Sequence, residues 1–221
     1  SVSTFHSRPT MSANGAAHWV AGINLSGGTS SQARALYSAG DATPATIEPI
    51  LKTGDLVDGM AITSTGIDFD YWIADNGEHR ILILQVDSGS TANDTLVWVD
   101  GVVVARESLP TGDGDNWSGL DTVSINNEGD YLFSGDTDGP VASDEFIAYN
   151  GVIAVREGDN LDGVTLASGA AVQTVSINDL GQAAHIWTHG SGDHLFFACD
   201  AADLAASIRV LSTGDSVDLD D

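Results

Sequence analysis

The stretch TVSINNEGDYLF at 122–133 opens with a pentapeptide, TVSIN, that returns at 174–178, 52 positions later. The offset extends beyond the pentapeptide, since Gly129 has its counterpart in Gly181 and Gly77 of ADNGEHRIL lies 52 positions before Gly129. An earlier copy, SANGAAHWV, places Gly15 a further 62 positions upstream. A second pair fixes the register: TLVWVDGVVVARES from Thr95 matches EFIAYNGVIAVREG from Glu145 at an offset of 50. A period of this length is the signature of a fold assembled from copies of one supersecondary unit.

Within each unit, short β-branched and aromatic runs are separated by Gly, Asn and Asp, which is the chemistry of strands and tight turns. Around TVSIN the pattern predicts strands near 122–125, 130–134, 145–149 and 152–156. Asn14-Gly15 and Asn76-Gly77 are expected to join the first two strands of their units, and Asp100-Gly101 and Asn150-Gly151 the last two. All four read as type I′ turns, whose two central residues need positive φ. The insertions GDATPAT in the first unit and DAADLAA in the fourth are expected at hairpin tips, where extra length costs little.

Units of approximately 1–61, 62–117, 118–169 and 170–221 follow, within one domain spanning 1–221. A four-stranded meander cannot bury both of its faces alone. The predicted fold is therefore all-β and β-propeller-like, four repeats of four-stranded antiparallel sheets packed radially. The same units also allow a β-sandwich pair, a linear β array, or a larger ring completed by a second chain.

Composition narrows the partners. Hydrophobic residues make up 42% and charged residues 18% of 221 positions, which is globular material able to form a packed core. Seven Lys plus Arg stand against 32 Asp plus Glu, for a formal charge of -25, so phosphate backbones and anionic lipid surfaces are repelled and nucleic acid is excluded as a partner. The same field attracts divalent cations. The single cysteine, Cys199, rules out an internal disulfide and reads as a small core residue beside Phe196 and Phe197. No apolar run approaches membrane-spanning length. The first residues, SVSTFHSRPT, have neither a basic region nor an initiator methionine, so the chain reads as already processed, its signal peptide removed, and extracellular.

The most specific polar pattern is GDxxD, found as Asp55 with Asp58, Asp159 with Asp162, and Asp215 with Asp218, each after the last strand of a unit. Paired aspartates in a glycine-containing loop can present hard oxygens to Ca²⁺, the cofactor expected here. The competing reading makes them turns in which Asp caps backbone N–H groups. His185, His189, Asp193 and His194 have zinc-ligand chemistry, but His185 aligns with Trp19, Ile81 and Phe133, all hydrophobic, and is expected inside a sheet. Glu107 and Glu157 occupy equivalent places beside Arg106 and Arg156 and read as strand-end ion pairs. Of the five tryptophans, Trp117 in GDGDNWSGL lies in a polar loop and is the candidate for exposure and ligand binding. No nucleophile, base or phosphate-loop motif stands out, so no catalytic residues are assigned.

These repeats resemble bacterial secreted or surface proteins whose tandem unit carries an NxxGxxAF motif followed by an REGD-type segment. Asn178, Gly181 and Ala184 fit the motif, with His185 in place of Phe; Asn126, Gly129 and Phe133 fit with Leu132 in place of Ala. Arg156, Glu157, Gly158 and Asp159 supply the second segment, whereas Ser12 and Ala74 replace the Asn in the first two units. The resemblance implies export and display at a cell surface, with no enzymatic activity. Together these readings predict a non-catalytic extracellular structural or interaction module, contacting a protein partner or self-associating, with no membrane insertion. A carbohydrate-binding or glycan-cleaving β-propeller is the alternative.

Overall fold

The computed structural model describes residues 2–5, 9–13, 15–23, 33–40, 47–67, 70–190 and 192–217. The chain is all-β, and its sheets follow one another along the sequence. The first sheet contains Ala17–Ile23, Ala33–Ala39 and Ile47–Lys52 in order, with Val2–Phe5 and Thr10–Met11 both paired to Ala17–Ile23. The second is Tyr71–Ile73, Arg80–Gln85, Thr95–Val99 and Val102–Arg106; the third is Val123–Ile125, Tyr131–Asp136, Glu145–Tyr149 and Val152–Arg156. The fourth is Ala171–Ile177, Ala183–His189, Gly192–Ala198 and Ile208–Ser212. All pairings are antiparallel, and in the second, third and fourth sheets they join sequence neighbours, as the repeat predicted; the strands of the third sheet fall within two residues of the expected bounds. Two small hairpins, Leu56–Val57 with Met60–Ala61 and Asn160–Leu161 with Val164–Thr165, lie in the connections between sheets.

The sheets stack face to face through three apolar cores. Val20 and Leu36 meet Leu82, Leu84, Leu96 and Trp98 between the first and second sheets. Ile81, Ile83 and Val97 meet Val123, Phe133 and Phe146 between the second and third. Leu132 and Ile147 meet Val175, Trp187 and Phe196 between the third and fourth. Neighbouring strand residues face opposite ways, so the run Ile81-Leu82-Ile83-Leu84, buried throughout, serves two cores at once.

The NxxG turns show why the repeat has its spacing. In the third sheet Asn126 N–H reaches Asp130 O, and the Asn126 side chain accepts from the N–H groups of Glu128 (3.1 Å) and Asp130 (2.9 Å). Asn178 accepts identically from Leu180 and Gln182, both at 3.0 Å. Gly129 and Gly181, at φ 83° and 71°, close these turns in the left-handed region. Ser12 takes the Asn place and instead donates its hydroxyl to Ala16 O (3.1 Å). Where Ala74 has no capping atom the turn is one residue longer, Ala74 N–H bonding His79 O, and Asn76 accepts from Glu78 N–H (2.8 Å). That extra residue corrects the alignment: Ile81 is in register with Leu132, not with Phe133 and His185.

The turn types divide. Asp100-Gly101 and Asn150-Gly151 have positive φ at both residues, as a type I′ turn requires, whereas only Gly77 of Asn76-Gly77 does. Asn14 and most of GDATPAT lie outside the described residues. DAADLAA lies, as expected, in the hairpin connection between the third and fourth strands of the fourth sheet, where it forms a short 3₁₀ turn, Ala201–Ala206, capped by Asp200, and Leu204 joins the core between the third and fourth sheets. Cys199 is exposed, just beyond the strand Gly192–Ala198, and not in the core.

Gly135 shows how closely the segments pack: a Cβ there would lie 2.0 Å from Gly119 O, in the chain that runs beside the strand Tyr131–Asp136. Gly135→Ala is expected to destabilise the protein by about 1–3 kcal/mol, typical of overpacking against backbone. Urea unfolding monitored by tryptophan fluorescence measures it, and an unchanged midpoint contradicts the packing described.

Candidate metal centre

In each GDxxD segment the first aspartate is a turn cap. Asp55 accepts from Lys52 N–H (3.0 Å), Asp159 from Arg156 N–H (2.9 Å) and Asp215 from Ser212 N–H (2.7 Å), always three residues back. Asp55 is also paired with the Lys52 ammonium. Asp58 and Asp162 sit at the tips of the two small hairpins with φ of 50° and 47°. Asp58 lies 3.8 Å from Arg106, and Asp162 accepts from Arg209 N–H (3.0 Å). Asp218 lies outside the described residues. The dipeptides Asp58-Gly59 and Asp162-Gly163 are hairpin signals that were present in the sequence.

The carboxylates that do converge come from elsewhere. Asp136 and Glu145 face each other across the second and third strands of the third sheet, and Asp121 precedes its first strand. One oxygen from each of Asp121, Asp136 and Glu145 lies within 4.8 Å of the others, the one group of three potential metal ligands among the described residues. This buried acidic cluster can hold a metal ion. It is graded in depth, with Glu145 buried, Asp136 half-buried and Asp121 exposed. Glu145 also accepts from Val172 N–H (2.7 Å), tying the cluster to the fourth sheet. No lysine or arginine pairs with these three among the described residues.

Burial, reinforced by the Asp136 and Asp121 carboxylates, pushes the Glu145 carboxyl up to about 8. Asp121 is raised by desolvation and by Asp136. The histidine reading has a different outcome. His185 is 1% exposed in the core, where it accepts from Trp187 Nε1–H at Nδ1 (3.1 Å) and contacts Ser207 Oγ through Nε2 (2.9 Å). Trp187 thus fixes the neutral form with the proton on Nε2, and burial lowers the pKa to about 4. His194 pairs with Ser212 Oγ (2.7 Å).

Two expectations are corrected. Trp117, expected at the surface, is 3% exposed, with its ring centroid 5.3 Å from that of Phe133 and 5.0 Å from that of Phe146. Its loop is polar, but the indole is drawn into the core between the second and third sheets, and Trp72 is the exposed tryptophan, at 42%. Nor do Arg106 and Arg156 pair with the glutamates that follow them, because adjacent strand residues point to opposite faces. Arg156 instead binds Asp115 (2.9 Å), Asp113 (3.0 Å) and Ser143 O (3.1 Å), while Glu157 accepts from Gly169 N–H (2.6 Å) and Glu107 from Thr95 N–H (3.0 Å).

A shallow cavity of about 260 Å³ beside the 3₁₀ turn is lined by Tyr149, Val152, Ile153 and residues 202–205. Asp203 is its single carboxylate, whereas glycoside hydrolysis uses two. Among the described residues no helix is long and apolar enough to cross a membrane.

The fold and this acidic cluster define a repetitive all-β protein with β-propeller-like structural neighbours. A family model described as "Family of unknown function (DUF7453)" matches residues 1–216, and the chain belongs to that family. No curated protein matches it in sequence. Prolyl oligopeptidase B from Galerina marginata, in its apo form, superposes with a TM-score of 0.56 at 10% identity over 94% of this chain and 31% of that one. A GH43 β-1,3-galactosidase gives a TM-score of 0.40 at 10% identity over 88% of this chain and 43% of its own. The chain thus spans less than half the length of either, and the first likeness bears on the fold alone.

The two buried titrating groups act oppositely on stability. Glu145 has a folded value of about 8 against an ordinary 4.5, so its contribution is present below 4.5 and lost as pH rises toward 8. His185, at about 4 against 6.5, contributes fully above 6.5 and loses that contribution as pH falls toward 4. In EDTA, Glu145→Gln is expected to flatten the decline between pH 5 and 8 (a span taken from ordinary carboxyl and buried values) and to leave the acid-side decline intact. Urea unfolding across a pH series measures both slopes.

Proposed function

We propose that this chain is a non-catalytic extracellular structural and interaction module, displayed at a cell surface, which associates with further copies of itself and is stabilised by Ca²⁺. The surface location rests on the resemblance of its NxxGxxAF-like repeats to secreted and surface-displayed proteins. The observation that carries the interaction role is the outer face of the fourth sheet. Register places Ala184, Ile186, Leu195, Phe197, Ile208 and Leu211 together on it, through the pairs Ala184 with Phe197, Ile186 with Leu195, Phe197 with Ile208 and Leu195 with Leu211. The equivalent face of the third sheet, bearing Leu132, Ile147 and Val155, is buried by the fourth sheet. On the fourth sheet Ile208 is 53% and Leu211 41% exposed.

The first sheet offers the reciprocal face. Trp19 and Tyr37 are paired across strands, stacked at 5.7 Å and half-buried, and occupy the places through which Phe133 and its neighbours meet the preceding sheet. A second copy docking its first sheet on the fourth sheet of its neighbour repeats between chains the contact that joins sheets within one chain. Such a head-to-tail contact closes into a ring or extends as an array. Charge repulsion between copies at -25 each makes the association strongest where salt screens it.

Sedimentation velocity in high salt is expected to show concentration-dependent assembly, and Leu211→Glu to shift it toward monomer by roughly tenfold or more in dissociation constant, as burial of an unpaired charge in an interface demands. A monomer at every concentration, with and without Ca²⁺, contradicts the reading. A carbohydrate-binding or glycan-cleaving role is the second reading, favoured by the exposed Trp72. In that case Trp72→Ala abolishes glycan binding and leaves assembly untouched.

A further inference from the structure

The acidic cluster of the third sheet carries a second, separate anomaly. Ser134 is completely buried, and its hydroxyl has no hydrogen-bond partner. It lies two residues before Asp136 on the same strand, and therefore on the same face, with Glu145 opposite Asp136 and Ile147 opposite Ser134. Asp121 donates its backbone N–H to Ser134 O (2.9 Å), which brings the third carboxylate alongside. The residue before it on the same face, Leu132, and the residue paired with it, Ile147, have apolar side chains. The next residue on that face is Asp136, paired with Glu145, and the hydroxyl bonds neither. A buried hydroxyl left without a partner is uncommon in folded proteins, and a bound ion is one way to satisfy it.

We infer that Asp121, Asp136, Glu145 and Ser134 form a binding site for a single Ca²⁺ ion at the junction of the third and fourth sheets. Ca²⁺ is held by oxygens at about 2.4 Å, so two ligands of one ion lie no more than about 4.8 Å apart. The three carboxylate oxygens meet that limit pairwise. All four side chains offer hard oxygen, with neither the imidazole nor the thiolate that favours zinc. Asp121 at the exposed rim leaves the site open to water, which completes the six to eight oxygens the ion takes. Glu145 is the inner ligand, and its second tie, to Val172 N–H, lets the ion brace the fourth sheet against the third.

Three carboxylates packed without a cationic side chain repel one another, and a divalent cation between them relieves that repulsion. The inference deepens the calcium part of the proposed function and does not depend on self-association.

The test uses the full chain, with Ca²⁺ as the probe. Thermal melts in EDTA and in millimolar CaCl₂ are compared, and calorimetric titration with CaCl₂ measures binding directly. The melting temperature is expected to rise by several degrees in Ca²⁺, as it does whenever an ion binds the folded state alone. Glu145→Gln is expected to abolish the rise, and Asp121→Asn, at the exposed rim where folding is undisturbed, to weaken Ca²⁺ binding at least tenfold. Ser134→Ala is expected to melt at or above the unsubstituted protein in EDTA, because it removes an unsatisfied group, yet to lose part of the Ca²⁺ response. Asp159→Asn, in a GDxxD turn, is expected to keep the whole response.

No calorimetric signal and no melting shift in the unsubstituted protein overturn the site. A Ca²⁺ response that survives Asp121→Asn and Glu145→Gln but disappears in Asp159→Asn overturns it in favour of the GDxxD loops. Loss of assembly with an intact Ca²⁺ response contradicts self-association alone.

Discussion

The structure depends on a line of hydrogen bonds that joins the turn of each sheet to the turn of the next. Ala13 N–H bonds Asp75 O; Asn76 N–H reaches the Asn127 side chain; Asn127, by its backbone N–H (2.9 Å) and its side-chain amide (2.6 Å), reaches the two oxygens of Asp179. Asn126 also donates its amide to Asn178 O (3.0 Å). The partners from Asn76 onward are 51 or 52 residues apart, so the repeat length seen in the sequence is the separation this line requires. It sets each sheet at a fixed height and angle on its neighbour. Further in, Ser124 Oγ accepting from Ile177 N–H (3.1 Å), and Asp70 accepting from Thr122 Oγ and Val123 N–H (both 3.0 Å), hold the same registration.

Given that registration, packing follows from strand geometry. Alternate residues of one strand feed two different cores, so an interior sheet must be apolar on both faces and an end sheet on one. The second and third sheets meet the rule with Ile81-Leu82-Ile83-Leu84 and with Phe146-Ile147. The fourth breaks it, because its inward residues Val175, Trp187 and Phe196 are buried while Leu195 and Phe197 on the other face are only partly covered. The sequence treats the last sheet as an interior one, which is the physical basis for regarding that face as a contact surface.

Much of this was legible beforehand because it is written in local chemistry. Strands, hairpins and repeat spacing are set by β-branched runs and by Gly, Asn and Asp at positions needing particular φ. What escaped was decided by tertiary placement. Trp117 has polar neighbours in sequence, yet the chain turns its ring onto Phe133 and Phe146. Ile81 slipped by one position because Ala74 lacks the capping oxygen that shortens the turn elsewhere. The cluster of Asp121, Asp136 and Glu145 has no linear motif at all. The expected second strand stopped at 134, so the facing of Asp136 and Glu145 emerged only with the longer observed strand, Tyr131–Asp136. The GDxxD pattern, more conspicuous in sequence, supplies turns whose aspartates are already occupied by backbone N–H groups.

That occupancy also explains the chain's composition. Asp55, Asp159 and Asp215 cap turns, Asp100 accepts from Arg80 N–H (2.8 Å), Asp179 holds Asn127, and Asp200 caps the 3₁₀ turn. A fold with this many tight turns needs short acceptors for exposed N–H groups, and a carboxylate is a stronger acceptor than a hydroxyl or amide. Most of these aspartates are satisfied by N–H groups alone, Asp55 with its Lys52 partner being an exception, so negative charge accumulates while basic residues such as Arg156 anchor loops. The surplus is therefore a by-product of turn chemistry at the surface, where water solvates it. Glu145 does not fit that account. It is buried, accepts only one backbone N–H, faces two further carboxylates and adjoins an unsatisfied hydroxyl, so turn capping cannot be the reason for its charge. A proton or a cation can neutralise it, and Asp121 brings the same cluster to the exposed surface.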